Sequence, residues 1–391
     1  MKKILLISNE LSMTGAPLEL FYMAQIMQKN GCLVDVWSFA DGALRGEFSK
    51  IGINVEIIPL EDLKKQKKKF CDYGLVISNT IVSHKAYRIS RKYTPSIFFI
   101  TEAEQWTPYC RNKNLGALLR TSKDIYCVSE YAAGWLEREF KNSNVKVFHN
   151  AVEDLFDGQR DYFDGGKINF LVFGTISPQK GMHTAIDAVN NLPEEYKKKI
   201  RLRIAGKVLE ANKQYYSAIL KEAEKSSCIE FLGEITNIND KISLYKKTDV
   251  VIVPSVDESC SLVALEAAMM KCALVLTKNV GAKYILKNER CFFEWENSEQ
   301  LKNILIDIID SKINVAENGN NLREEFLKTS TLEIYEKNVM KMVNEKYGKQ
   351  TFSPKFQYLN AIIVETPYTL LKFVEKIFSV KQNYNHRVIT V

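Results

Sequence analysis

Along the first half of the chain, short unbroken apolar runs alternate with stretches in which apolar residues recur every third or fourth position. Lys3–Ser8 is such a run and predicts a strand. After the loop Asn9–Gly15, Leu20, Met23, Ala24 and Met27 share one face, which predicts a helix from about Ala16 to Asn30. Pro17 suits its first turn and Gly31 its C-terminal stop. Further runs predict strands at Leu33–Phe39, Val55–Ile58, Leu75–Ser78, Ile97–Ile100 and Ile125–Val128. The pattern breaks over Val152–Gly166, an acidic, glycine-bearing, aperiodic segment that reads as a linker. It then restarts, with strands at Ile168–Phe173, Ile200–Ala205, Ile229–Leu232, Val250–Val253 and Ala273–Thr277. Helices are predicted between them at His183–Asn190, Lys213–Lys225 and Leu262–Met270.

Strands alternating with helices imply mostly parallel sheets covered on both faces, hence an α/β protein. Two such units, 1–150 and 167–345, would leave a cleft facing the carboxyl ends of their strands, where such sheets bind ligands. From about Glu299 the pattern is helical, with Leu301, Ile304, Leu305 and Ile308 as one stripe. Residues 346–391, basic, aromatic-rich and broken by Pro354 and Pro367, are expected to form a helical extension.

Composition narrows the class without naming it. With 391 residues, 46% hydrophobic and 26% charged, the chain is that of an ordinary globular protein and not of a disordered one. A net charge of +7 permits an anionic partner. The eight cysteines form no Cys-x-x-Cys pair and sit mostly in apolar runs, so reduced thiols in a cytoplasmic protein are expected. The four histidines are scattered, without metal-ligand spacing, and no zinc site is expected. The apolar stretch ending at Ile7 is too short for a signal peptide, and no run is long enough to cross a membrane.

The most informative stretch is Val250-Val-Ile-Val-Pro-Ser-Val-Asp-Glu-Ser-Cys-Ser-Leu-Val-Ala-Leu-Glu. A buried strand gives way to a loop of small polar residues and then to a helix beginning near Ser259–Ser261. The unpaired N–H groups and positive dipole end at Cys260–Leu262 would attract a diphosphate. A carboxylate accepts two hydrogen bonds at once, so Glu258 and Glu266 suit vicinal hydroxyls of a sugar or a ribose.

Glu258 and Glu266 in this setting resemble the Glu-x7-Glu signature of retaining glycosyltransferases of the family 4 type, with the GT-B fold. Phe173-Gly-Thr-Ile-Ser-Pro-Gln-Lys-Gly resembles that family's donor loop. Leu202-Arg-Ile-Ala-Gly, Phe231-Leu-Gly and Asn279-Val-Gly resemble its nucleotide-side and donor-side turns, and Thr14-Gly-Ala its N-terminal glycine loop. The resemblance implies two Rossmann-like domains, an acceptor domain over 1–150 and a donor domain over 167–345. It implies metal-independent transfer of a hexose from a nucleotide sugar, the co-substrate, with no further cofactor. The acceptor would be a glycan or a lipid-linked one, in polysaccharide or glycolipid assembly. Lys180 would neutralise the diphosphate leaving group and Glu258 would hold the donor sugar, these two being the catalytic pair. Glu266 would bind the ribose, while Gly15, Thr175, Gly206, Cys260, Ser261 and Leu262 would line the donor site.

Two departures stand out. Thr175 replaces the family's usual arginine. Ile100-Thr-Glu-Ala-Glu-Gln-Trp lacks its usual histidine, leaving Thr101 or Glu102 for the acceptor side. These departures make a non-catalytic nucleotide-sugar-binding subunit the alternative. A nicotinamide-dependent oxidoreductase would need a Gly-x-Gly-x-x-Gly after the first strand, and none is there. The dispersed basic residues argue against nucleic acid. The run Leu63-Lys-Lys-Gln-Lys-Lys-Lys-Phe reads as a solvated helix face or as a patch for an anionic membrane surface, with peripheral attachment at the inner face.

Overall fold

A computed structural model describes residues 1–160 and 162–348; the extension expected over 346–391 lies outside the described residues from 349 onward. The apolar runs of the first half form β1 (Lys3–Ser8), β2 (Leu33–Ser38), β3 (Asn54–Ile57), β4 (Leu75–Asn79), β5 (Ser96–Ile100), β6 (Ile125–Cys127) and β7 (Lys146–Val147). They pair in parallel in the order β3-β2-β1-β4-β5-β6-β7. The second half adds β8 (Ile168–Phe173), β9 (Ile200–Ala205), β10 (Ile229–Gly233), β11 (Val250–Val253), β12 (Ala273–Thr277) and β13 (Phe292–Phe293). These are parallel too, in the order β10-β9-β8-β11-β12-β13. Strands β4, β5, β11 and β12 are buried at nearly every position, which is why they read as continuous apolar runs.

In each sheet the strand order reverses once, between β1 and β4 and between β8 and β11. The loops leaving those strands diverge and open a crevice at their carboxyl ends. Every donor-side residue singled out above, except Leu262, Glu266, Gly206 and Gly15, lies on the two loops that flank the second reversal.

The sequence pattern missed β7 and β13, two residues each, too short to carry a period. It also missed helices Leu44–Lys50 and Ile238–Lys246, each of which buries only two residues. The lysine run forms a 3-10 helix, Leu63–Asp72, pinned by buried Leu63 and Phe70. Lys65 pairs with Asp62 and Lys69 with Glu56. Lys64, Lys67 and Lys68 are exposed, with no ion pair among the described residues.

The linker is tied down. Arg160 donates to the carbonyls of Met270 and Thr248, and Phe163 N–H to Asp249 Oδ1 at 2.9 Å. The boundary expected at 345 needs correction. The last helix among the described residues, Leu332–Lys346, follows the second unit in sequence but packs against helix Gly15–Lys29 of the first. Tyr335 Oη donates to Glu19 Oε1 at 3.4 Å, and its ring meets Phe148 edge-on at 5.2 Å. Glu336 takes Lys29 at 2.8 Å, and Lys3 N–H donates to Tyr347 Oη at 3.0 Å. Its apolar stripe (Tyr335, Val339, Met342, Val343) dictates this, because the matching cover it needs is on the first unit. Burial pushes the Glu19 carboxyl up to about 8, so it enters this contact protonated at neutral pH. Where the chain crosses back, Val152 N–H donates to Ser330 O at 3.1 Å, so the two crossing strands run side by side.

Candidate functional site

Three glycines set the second unit's wall of the cleft by allowing backbone to touch backbone. A Cβ on Gly206 would lie 1.6 Å from Gly174 O, one on Gly181 2.0 Å from Pro254 O, and one on Gly281 1.9 Å from Ser259 O. Gly181 also has φ of 65°, a conformation that costs other residues strain. The loop after β8 is thereby pressed onto the loop after β11, and Lys180 Nζ reaches Glu258 Oε1 in an ion pair. Glu258 is fixed at its backbone: its N–H donates to Asn279 O at 3.0 Å and its carbonyl accepts from Gly281 N at 2.8 Å. Its second carboxylate oxygen, Oε2, is buried and has no hydrogen-bond partner among the described residues. An orphaned buried acceptor costs free energy unless something else fills it.

Helix Leu262–Met269 starts where expected. Ser261 caps it, its Oγ accepting from Ala264 N at 3.4 Å. Cys260 is buried, its thiol pushed up to about 12 by burial, so the loop offers its backbone and not a thiolate. Leu262 is exposed at the first turn. Glu266, on the second turn, accepts from Tyr245 Oη at 2.8 Å and pairs with Lys241. These partners come from helix Ile238–Lys246, and the three side chains line a cavity of about 240 Å³ with Tyr22, Leu262 and Leu332. Lys241 also lies 5.6 Å from the ring of Phe173, next to the partly buried Thr175 loop. Lys180 and Lys241 are thus two cations on this wall. Sequence reading missed Lys241 and Tyr245 because their helix was missed, although their i, i+4 spacing puts them on one face.

The opposite wall comes from the carboxyl ends of β1, β4, β5 and β6. Gly15 is exposed at the first turn of helix Gly15–Lys29, and a Cβ there would meet nothing within 4 Å. Packing does not demand that glycine. Thr101 gives its carbonyl to Ser259 Oγ at 2.5 Å. The expectation for Glu102 changes. Its side chain is buried, with Oε2 accepting from Ile81 N at 3.0 Å and Thr101 N at 3.1 Å. Burial pushes its carboxyl up to about 7. Glu102 thus ties the end of β5 to the Thr80 turn, where φ is 67°, and its carboxylate is turned to backbone.

The two walls meet at Asp257, which sequence reading overlooked beside Glu258. Its Oδ1 accepts from Tyr131 Oη at 2.5 Å and its Oδ2 from Gln105 N at 3.0 Å. Burial raises its pKa, and those two hydrogen bonds oppose the rise. Ser129 Oγ donates to Ser259 O at 2.5 Å. Loops from both units therefore clasp the segment that carries Glu258. Among the described residues no group of three or more His, Cys, Asp or Glu is placed to hold a metal ion, and no helix is long and apolar enough to cross a membrane.

Comparison with known proteins agrees with this architecture. The family described as glycosyl transferases group 1 matches residues 157–326, and that described as glycosyl-transferase family 4 matches residues 1–98. The uncharacterized glycosyltransferase MJ1178 of Methanocaldococcus jannaschii is 25% identical over 213 residues, 52% of this chain and 56% of that protein. The match thus spans about half the length of that curated relative. Among solved structures, Anabaena Alr3699/HepE in complex with UDP superposes with a TM-score of 0.75 at 18% identity, covering 88% of this chain and 100% of that one. The same Anabaena protein in complex with UDP-glucose gives a TM-score of 0.70 at 18% identity over 88% and 100% of the two chains. At that identity the likeness speaks for the fold.

Proposed function

The chain has the two-domain GT-B fold, and its two parts match the models of the glycosyl transferases group 1 and of the glycosyl-transferase family 4; from that premise we propose that it is a member of this family and transfers a hexose from a nucleoside diphosphate sugar to an acceptor held by the first unit, with retention at the anomeric carbon, in polysaccharide or glycolipid assembly. The observation that carries the reading is the unpartnered, buried Oε2 of Glu258 beside Lys180 at the mouth of a capped helix. A sugar hydroxyl satisfies that oxygen, and an arriving diphosphate draws Lys180 away from Oε1 and frees the second one. The helix start and Lys180 then face the phosphates while positive charge develops at the anomeric carbon. Glu266 takes the ribose hydroxyls. Lys241, beside the Thr175 loop, supplies the cation that Thr175 does not. The open amino end of helix Gly15–Lys29 faces the phosphates from the other wall. The UDP and UDP-glucose held by the Anabaena protein of like fold make uridine donors the first to try.

The test is ligand-linked stability followed by turnover. A matching donor at a hundredfold excess over its Kd stabilises the protein by about 2.7 kcal/mol, and sugar transfer then continues in a strong chelator. Donor binding without turnover of any kind would instead favour a non-catalytic subunit. Turnover lost in chelator and restored by manganese or magnesium would overturn the metal-independent mechanism.

Peripheral contact with an anionic membrane belongs to the same proposal, supported by unpaired Lys64, Lys67 and Lys68. Each contributes about 1 kcal/mol near such a surface. The protein then co-sediments with anionic vesicles at low salt and detaches at high salt; absence of binding at low salt leaves these lysines as a solvated face.

A further inference from the structure

Next to the clasp, the first unit carries an aromatic shelf that nothing above uses. The 3-10 turn Glu104–Trp106 leads into the short helix Thr107–Cys110 at the carboxyl end of β5. Trp106 and Tyr109 meet edge-on with ring centroids 5.6 Å apart, and His84, the first residue of the helix His84–Ser90 after β4, meets Tyr109 at 6.2 Å. Tyr109 is 43% exposed, whereas aromatic side chains of this size are usually covered. The shelf is rigid, because buried Trp135 Nε1 donates to Thr107 Oγ1 at 2.8 Å and Thr107 Oγ1 donates to Glu104 O at 2.6 Å. It stands at the lip of the cleft, because the intervening Gln105 amide is the one bonded to Asp257, next to Glu258.

Its polar tips are unspent. Trp106 Nε1, Tyr109 Oη and His84 Nε2 have no hydrogen-bond partner among the described residues. His84 Nδ1 lies 3.1 Å from Ile81 O; a carbonyl only accepts, so Nδ1 carries the proton and Nε2 keeps its lone pair. Burial lowers the imidazole pKa, which keeps the ring neutral at neutral pH. The shelf thus offers a donor, an acceptor and a hydroxyl that is both, around two flat apolar faces.

We propose that this shelf is the acceptor subsite and that the acceptor presents a sugar ring to it, its C–H face against one of the perpendicular rings of Trp106 and Tyr109 and its edge against the other, with its hydroxyls on their free polar tips. The inference rests on reading the cleft as a sugar-transfer site and adds which class of acceptor it takes. A pyranose has apolar C–H faces and a polar rim, the pattern that the shelf complements. A bare hydrocarbon chain would bury those three tips unsatisfied. It would also lie against the exposed ion pairs Arg138–Glu104 and Arg111–Glu139 that border the shelf. No imidazole follows β5, but that of His84, from the segment after β4, reaches the shelf.

Calorimetry on the full chain decides it, with cellobiose, maltose, lactose and diacetylchitobiose as saccharide probes and octyl phosphate as a sugar-free alkyl probe. At least one disaccharide binds, and Trp106→Ala and Tyr109→Ala each weaken it about tenfold or more. Tyr109→Phe, which keeps the ring, stays within about threefold of the parent. Trp106→Phe falls by less than the alanine variant and serves if that variant unfolds. Trp295→Ala, on the second unit, has no effect. The idea is overturned if no disaccharide binds, if the alanine variants bind as the parent does, or if octyl phosphate binds as tightly and is lost in the same variants. UDP affinity stays unchanged throughout; its absence in the parent would overturn the donor reading, while the disaccharide titrations still decide the shelf.

Discussion

Glu258→Gln lowers kcat by about a hundredfold or more, while Glu266→Gln raises the donor KM with a smaller change in kcat. The two residues sit on one strand-loop-helix segment, yet their surroundings differ. Glu258 is held by its backbone and keeps a buried carboxylate oxygen without a partner. On the proposed function it touches the sugar whose charge changes during transfer, so its contacts would tighten in the transition state. Glu266 is already engaged by Lys241 and Tyr245, and on the proposed function it would touch a ribose that does not change. Glutamine preserves shape and removes charge, and circular dichroism checks that both variants remain folded. Free UDP, which has the ribose and lacks the sugar, binds Glu258→Gln almost normally and Glu266→Gln poorly. Calorimetry giving the reverse order, or equal affinities, would show that the roles along this segment are wrong.

Lys180→Ala lowers kcat/KM by about tenfold to a few hundredfold, since a hydrogen bond to a charged group contributes about 1.5–3 kcal/mol. The ammonium sits on a loop, partly exposed, with Gly181 and not Lys180 making the tight contact beneath. Stability therefore changes little, and a melting curve separates this variant from one that disrupts the loop. Its ion pair with Glu258 sharpens the expectation. Removing the lysine leaves Glu258 Oε1 without its cation in the free protein, so any loss includes a reordered Glu258 as well as an unneutralised diphosphate. A Lys180→Ala/Glu258→Gln double variant therefore loses less than the product of the single losses. Wild-type kinetics in Lys180→Ala would return Lys180 to the surface.

Most strands were legible because a strand buried on both faces is an unbroken apolar run, as in Leu75–Asn79 or Ala273–Thr277. The strand-loop-helix segment was legible because a buried strand, small polar residues and a capped helix each leave a local signature. What the sequence hid were partners set by tertiary contact. Nothing local in Tyr131 or Gln105 indicates Asp257, which lies far along the chain on the other unit. Glu102 read as an acidic residue after a strand, and only burial reveals that its carboxyl serves two backbone amides. His84 looked isolated because its neighbours on the shelf come from another strand's loop. The affiliation of Leu332–Lys346 was hidden for the same reason, since an amphipathic stripe declares that it needs cover and not whose.

That last helix has a consequence for how the protein is made. The strands of the first unit leave the ribosome early, yet the helix that covers the face of Gly15–Lys29 is synthesised only after the whole second sheet. Until then Glu19, whose carboxyl burial pushes up in the finished fold, lacks its Tyr335 partner. The nascent first unit waits with apolar surface bare, the state in which larger proteins aggregate or meet chaperones. The second sheet, β8 to β13, is drawn from one continuous stretch of chain and needs no such late arrival. The cover of the unit made first is thus completed by a helix made after the second sheet.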